Sequence, residues 1–227
     1  MLDQVKGKLI VSCQALPEEP LHSSFIMGRM ALAAKQGGAV GIRAQSVEDI
    51  NEIMEVVDLP VIGLIKRNYD DSEVYITATR KEVEELLGTK CQMIALDATD
   101  RKRPNNESLK DLVDLIHEHG RLAMADCSTI EEVLMAQDLG FDCVSCTMAG
   151  YTPYSKNVDG PNYKLIKEMV EKCHVPVIAE GKINSPEELK KVMDLGVHCA
   201  VVGGAITRPK QITERFIKVL LEKENSV

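Results

Sequence analysis

Tryptophan is absent from the 227 residues, and the aromatics amount to five tyrosines and three phenylalanines. So sparse a set offers few stacking platforms for bases, and the formal net charge of -8 repels a polyanion at long range. Nucleic acid is thereby excluded as a general partner, whereas a small anion needs only a local positive site. Apolar runs are short. None approaches the ~20 residues that span a bilayer, so no membrane partner is expected. The opening MLDQVKGK carries neither the apolar stretch nor the cleavage site of an export signal, and a cytoplasmic location is expected. Seven cysteines are scattered without disulfide-framework spacing, which suits a reducing compartment. Cys143 and Cys146 form a C-x-x-C, but on a strand their side chains point to opposite faces, which argues against a zinc or redox pair.

Hydrophobic residues make up 44% and charged residues 27%, an ordinary globular balance with ample apolar material for a core. Eight short apolar runs recur along the chain: LIVSC at 9–13, AVGI at 39–42, VIGLI at 61–65, MIAL at 93–96, LAMA at 122–125, CVSC at 143–146, VPVIA at 175–179 and CAVV at 199–202. Near-continuous apolarity over four to six residues is what parallel strands covered on both faces require. Amphipathic stretches lie between the runs, with helix starts at Ser46, Thr129 and Ser185, each followed by acids in the first turn. Helix ends are expected near Gly37, Gly88, Gly120, Gly140 and Gly196. Eight strands alternating with helices predict a single (β/α)₈ barrel, one domain over 1–227. A Rossmann fold would want a glycine fingerprint after its first strand, where Cys13-Gln14-Ala15 stands instead. The loop 148–160 is long enough to suggest a lid.

In such a barrel the chemistry collects at the carboxyl ends of the strands. Those positions carry Gln14, Arg43, Lys66, Asp97, Asp126, Thr147, Glu180-Gly181 and Gly203-Gly204 in turn. Glycines at the ends of neighbouring strands seven and eight let backbone N–H groups approach an anion, and Arg208 adds a planar fork. A phosphate-bearing substrate is therefore expected at Gly181, Gly203, Gly204 and Arg208. Asp126 is placed to hold a substrate hydroxyl or orient Lys66, Asp97 to accept backbone N–H bonds in its loop, and Gln14 to contact a hydroxyl or amide. The five histidines all fall outside strand-end positions, so no metal and no cofactor is expected.

Strands three and seven face each other across an eight-stranded barrel. Lys66 and Glu180 can then reach one substrate carbon from two sides, as inversion of a stereocentre demands. Burial and Arg43 would lower the Lys66 pKa, while Glu180 would oppose that. Two other readings of the pair stay open: an ion pair closing the barrel top, and a Schiff-base aldolase with Lys66 as nucleophile. A non-catalytic sugar-phosphate sensor is the alternative outside enzymes.

The strings IVSCQALPEEPLHSSFIMGRMA, GAVGIRA, VIGLIKRNYDDSEVYITAT, IALDATDRKRP, MADCST, GYTPYS, VIAEGKINSPEEL and VVGGAITRP, in order through nearly the whole chain, resemble the N-acylglucosamine-6-phosphate 2-epimerases (N-acetylmannosamine-6-phosphate epimerases). The resemblance implies a metal-free ribulose-phosphate-binding-type barrel. It implies an isomerase that interconverts N-acetylmannosamine 6-phosphate and N-acetylglucosamine 6-phosphate in bacterial sialic acid and amino-sugar catabolism. By position, Lys66 matches the family's base and Glu180 its acidic partner. Gln14, Arg43 and Asp126 match sugar contacts, and Gly181, Gly203, Gly204 and Arg208 the phosphate cradle; Thr147, at the end of strand six, is expected to touch substrate as well. The chain departs from the family pattern at Cys146, Ala149 and Lys182. A homodimer is compatible with the resemblance.

Overall fold

The computed structural model describes residues 1–224; the last three positions of the expected 1–227 domain lie outside the described residues. Eight parallel strands close into a barrel in sequence order: β1 (Leu9–Cys13), β2 (Gly41–Gln45), β3 (Val61–Leu64), β4 (Met93–Asp97), β5 (Leu122–Asp126), β6 (Cys143–Ser145), β7 (Val177–Glu180) and β8 (Cys199–Val202). β1 pairs with β8, which completes the ring. Among the described residues no helix is long and apolar enough to cross a membrane.

The strand period of two sorts the side chains into two cores. Ile10, Ile62, Leu64, Met93, Met124, Cys143, Ile178 and Val201 fill the barrel interior. Val11, Ala44, Ile94, Leu96, Val144, Cys146 and Val202 face outward against the helices. The C-x-x-C cysteines accordingly sit in different cores. A short helix, Leu2–Val5, supplies Val5 to the inner cluster, and Leu2 O accepts from His198 Nε2 at 2.9 Å. The early apolar-poor residues had given no sign of it.

The expected helix starts are present. The Ser46, Thr129 and Ser185 side chains accept from the N–H groups of Asp49, Glu132 and Glu188, closing the first turns of helices Val47–Val56, Ile130–Leu139 and Pro186–Asp194. Helix Ile130–Leu139 ends on Gly140 at φ 97, a left-handed cap that suits glycine. Strand boundaries differ from most of the apolar runs by one to three residues, with the largest shift at β2. β2 runs three residues past the apolar run at 39–42, so Arg43 lies inside the strand, not after it. A charged side chain broke the apolar pattern, yet it is buried and paired, and the backbone continues through it.

Candidate active site

The same alternation that points Ile62 and Leu64 inward points Arg43, Asp97, Asp126 and Glu180 inward one layer higher. Above the apolar layers, a cavity of about 830 Å³ opens at the carboxyl ends of the strands. Gln14, Arg43, Lys66, Thr147, Glu180, Gly181, Gly203, Gly204 and Arg208 all line it. Asp126 does not. It is fully buried beneath Arg43 and accepts from Arg43 Nη2 at 2.5 Å, Arg43 Nη1 at 3.1 Å, Thr147 Oγ1 at 2.8 Å and Ser145 Oγ at 3.0 Å. So saturated a carboxylate is a holder of Arg43.

Arg43 is the hub. Its Nη1 also donates to Glu180 Oε2 at 2.8 Å, tying β2 to β5 and β7 through one guanidinium that is 1% exposed. Burial alone would lower its pKa, but Asp126 and Glu180 hold it above the ordinary value, so it stays cationic. Its Nε, like Gln14 Oε1, is buried without a hydrogen-bond partner. Gln14 Nε2 donates to Ser12 Oγ at 2.8 Å, which fixes the amide with that oxygen unspent.

Lys66 lies two residues past the end of β3, after Ile65. Its place is set by a return of the chain: Lys66 bridges Ile76 in antiparallel fashion, Arg67 N donates to Tyr75 O at 2.9 Å, and Thr77 N to Ile65 O at 2.7 Å. Burial, then Arg43 and Arg208, bring its pKa down from 10.5 to about 8, against the opposing pull of Glu180 and Asp126. Burial raises Glu180, with Asp126 adding to the shift and Arg43 opposing it. A lysine and a glutamate with ordinary values far apart are thus drawn towards each other, the condition for handing one proton back and forth.

At the rim of β7 and β8, Gly181 has φ 114, and Gly203 caps the short helix Gly204–Thr207. A Cβ at Gly204 would come within 2.7 Å of Gln211 Oε1. Arg208 faces the cavity but is engaged by Glu19, with Nη2 donating to Oε2 at 3.1 Å. The Glu19 carboxylate also accepts Leu16 N, so the PEEP segment after β1 holds the fork at the rim.

Other cavity residues carried no signal in the sequence. Tyr75 and Ile76 come from the return after β3, and Met148 and Lys182 from the rims of β6 and β7. Lys182, at φ 55, donates to Asn157 Oδ1 and to Val158 O at 2.9 Å, and its Nζ lies 5.7 Å from the Tyr151 ring centre. The 148–160 loop is moored on its other side by Tyr154 OH to Glu132 Oε1 at 2.6 Å and Thr152 Oγ1 to Ser128 Oγ at 3.0 Å. Asp97 is fully buried and takes no part in the lining; it accepts from Thr99 N at 3.0 Å and Arg101 Nη2 at 2.6 Å.

A closed (β/α)₈ barrel whose strand ends open a cavity lined by Lys66, Glu180, Arg43 and a glycine rim has the build of a barrel enzyme for a small molecule. The family model described as "Putative N-acetylmannosamine-6-phosphate epimerase" matches residues 27–222. A putative N-acetylmannosamine-6-phosphate 2-epimerase of Clostridium perfringens is 69% identical over 97% of this chain and 100% of its own; that of Clostridioides difficile is 64% identical over 97% and 99%. The solved structure of the Clostridium perfringens N-acetylmannosamine-6-phosphate 2-epimerase superposes with a TM-score of 0.96 at 69% identity, covering 96% of each chain. The chain belongs to the N-acetylmannosamine-6-phosphate epimerase family. A thiamine phosphate pyrophosphorylase from Pyrococcus furiosus, at 18% identity and TM-score 0.62, shares the fold alone.

Proposed function

We propose that this chain interconverts N-acetylmannosamine 6-phosphate and N-acetylglucosamine 6-phosphate by moving a proton at C2 of the ring-opened sugar. The observation that carries the mechanism is that Lys66 and Glu180, from opposite strands β3 and β7, open onto one cavity. C2 becomes acidic once C1 is an aldehyde. Lys66, as free amine, takes the C2 proton; the bonding pair moves into C1–C2 and leaves an enolate with its charge on O1. Arg43, held cationic by Asp126, stabilises that oxyanion. Glu180, protonated, returns a proton to the opposite face, which neutralises the sugar and leaves Lys66 as ammonium and Glu180 as carboxylate; passage of one proton from Lys66 to Glu180 through solvent then resets the pair. Gly181, Gly203, Gly204 and Arg208 grip the phosphate and so fix C2 between the two groups, a positioning effect worth much of the barrier. Gln14 contacts a hydroxyl or the acetamido group.

Turnover of N-acetylmannosamine 6-phosphate in deuterium oxide is expected to place one deuterium at C2 of the product, read by NMR. Retention of the original hydrogen would exclude the mechanism. Borohydride treatment with substrate leaves the protein mass unchanged in this reading, whereas a Schiff-base aldolase would be trapped as an adduct on Lys66.

The assembled form in this reading is a homodimer. Helix Pro209–Glu224 presents Phe216 at 74% and Leu220 at 60% exposure, beside exposed Ile217 and Val219. So continuous an apolar face on a final helix is what a second copy would cover.

A further inference from the structure

The segment ALDATDRKRP, 95–104, lines no part of the cavity, yet its polar groups turn towards one target. Arg101 Nη1 donates to Glu73 O at 3.0 Å, and Arg103 Nη1 to Ala78 O at 3.0 Å. Between these two carbonyls, Asp97 N donates to Ile76 O at 3.0 Å, while Ser72 Oγ donates to Lys102 O at 2.7 Å. Just beyond, Asn105 N donates to Asp71 Oδ2 at 3.2 Å. The loop after β4 thus grips the 71–78 stretch from end to end. Arg101 is itself locked by Asp97 Oδ2 at 2.6 Å and Thr99 Oγ1 at 2.9 Å.

The gripped stretch is the one that returns to Lys66. It carries Tyr75 and Ile76 to the cavity wall, and its Thr77 sits at φ 44, a left-handed conformation that a β-branched residue adopts only when its surroundings impose it. Arg103 is 6% exposed with Nη2 unpartnered; it faces the charges of Asp97 and Glu107, and its hydrogen bond among the described residues goes to the Ala78 carbonyl.

We infer that Arg101 and Arg103 are positioning residues for the proton transfer: through the carbonyls of Glu73 and Ala78 they hold 71–78 as the wall that keeps water from Lys66. The inference rests on Lys66 as a proton carrier. The charges that face Lys66 are Arg43 from β2, Asp126 from β5, Glu180 from β7 and Arg208 after β8. All four stand on other strands or beyond them. Tyr75, on the wall, has Asp97, Asp126, Arg101 and Tyr151 as its neighbours in charge. Loosening the clamp therefore leaves the four charges that face Lys66 in place and changes chiefly its burial, so Lys66 moves back up towards its ordinary value.

The test titrates Lys66 directly, by NMR of protein labelled with ¹³C at lysine Cε and assigned with Lys66→Arg. In Arg101→Ala the midpoint is expected to rise by about one pH unit, and the alkaline limb of kcat to rise with it. Amide exchange at Arg67 and Thr77 speeds up by roughly tenfold, while KM stays within a factor of about two because the glycine rim is untouched. Arg101→Lys, which reaches fewer acceptors, falls between the two. An unchanged midpoint with unchanged exchange overturns the inference. A midpoint that moves while the kcat profile stays put keeps the clamp and removes Lys66 as proton carrier. Should Arg101→Ala fail to fold, Ser72→Ala, which loses the bond to Lys102 O and the local one from Val74 N, is judged by the same criteria.

Discussion

In the proposed mechanism Lys66 and Glu180 act through the proton they share. The productive state carries one proton on the pair. Below the Glu180 pKa, raised from the carboxylate range by burial, both groups are protonated; above the Lys66 pKa of about 8, neither is. The kcat/KM profile is therefore expected to be bell-shaped, with its alkaline limb near the Lys66 value. A monotonic rise with a high-pH plateau would point to a single base acting alone. Lys66→Ala is expected to fold normally by circular dichroism and to lose roughly 10²–10⁴ in kcat, the usual contribution of a positioned acid–base group. At this scale the sequence was legible where an ionisable residue directly follows an apolar run, as in GLIKR and VIAEG. It placed Arg43 after strand two, because a buried charge inside a strand looks from sequence like its end, and it did not show that Asp126, the last residue of β5, is buried beneath Arg43. Tyr75 was illegible: it reaches the cavity through a return of the chain that no periodicity marks.

At the scale of elements, β3 has little room for error, since it delivers Lys66. Gly63 points outward between β3 and the helices, and a Cβ there would lie 2.9 Å from both Cys91 Sγ and Ile50 Cδ1. Gly63→Ala is expected to destabilise the fold by about 1–3 kcal/mol in urea unfolding, the usual cost of overpacking a filled core. An unchanged midpoint would mean that the neighbours yield freely. Helix starts were readable because capping needs a hydroxyl at one position and acids just after it, a purely local requirement. The loops after β3 and β4 were not, because their conformations are settled by bonds between loops far apart in sequence, such as Arg101 to Glu73 O.

For the whole molecule, the barrel was legible because eight apolar runs separated by helices leave few ways to bury both faces of every strand. What covers the last helix was not, since an amphipathic segment reads alike whether its apolar side meets its own core or another copy. Light scattering is expected to give twice the monomer mass, and Phe216→Glu with Leu220→Glu to give the monomer mass. A monomer for the unaltered chain would reject the homodimer.

The Arg43 tie between β2, β5 and β7 divides the inside of the barrel into a charged storey and a hydrocarbon one. In the proposed mechanism, filling the upper storey with aliphatic side chains would raise heat resistance only by erasing the reaction, since the groups assigned to move the proton are the ones displaced. Improvement by packing is thus confined to the lower storey, around Ile10, Met93, Met124 and Ile178. Any thermotolerant descendant that still turns over sugar carries its interior changes there.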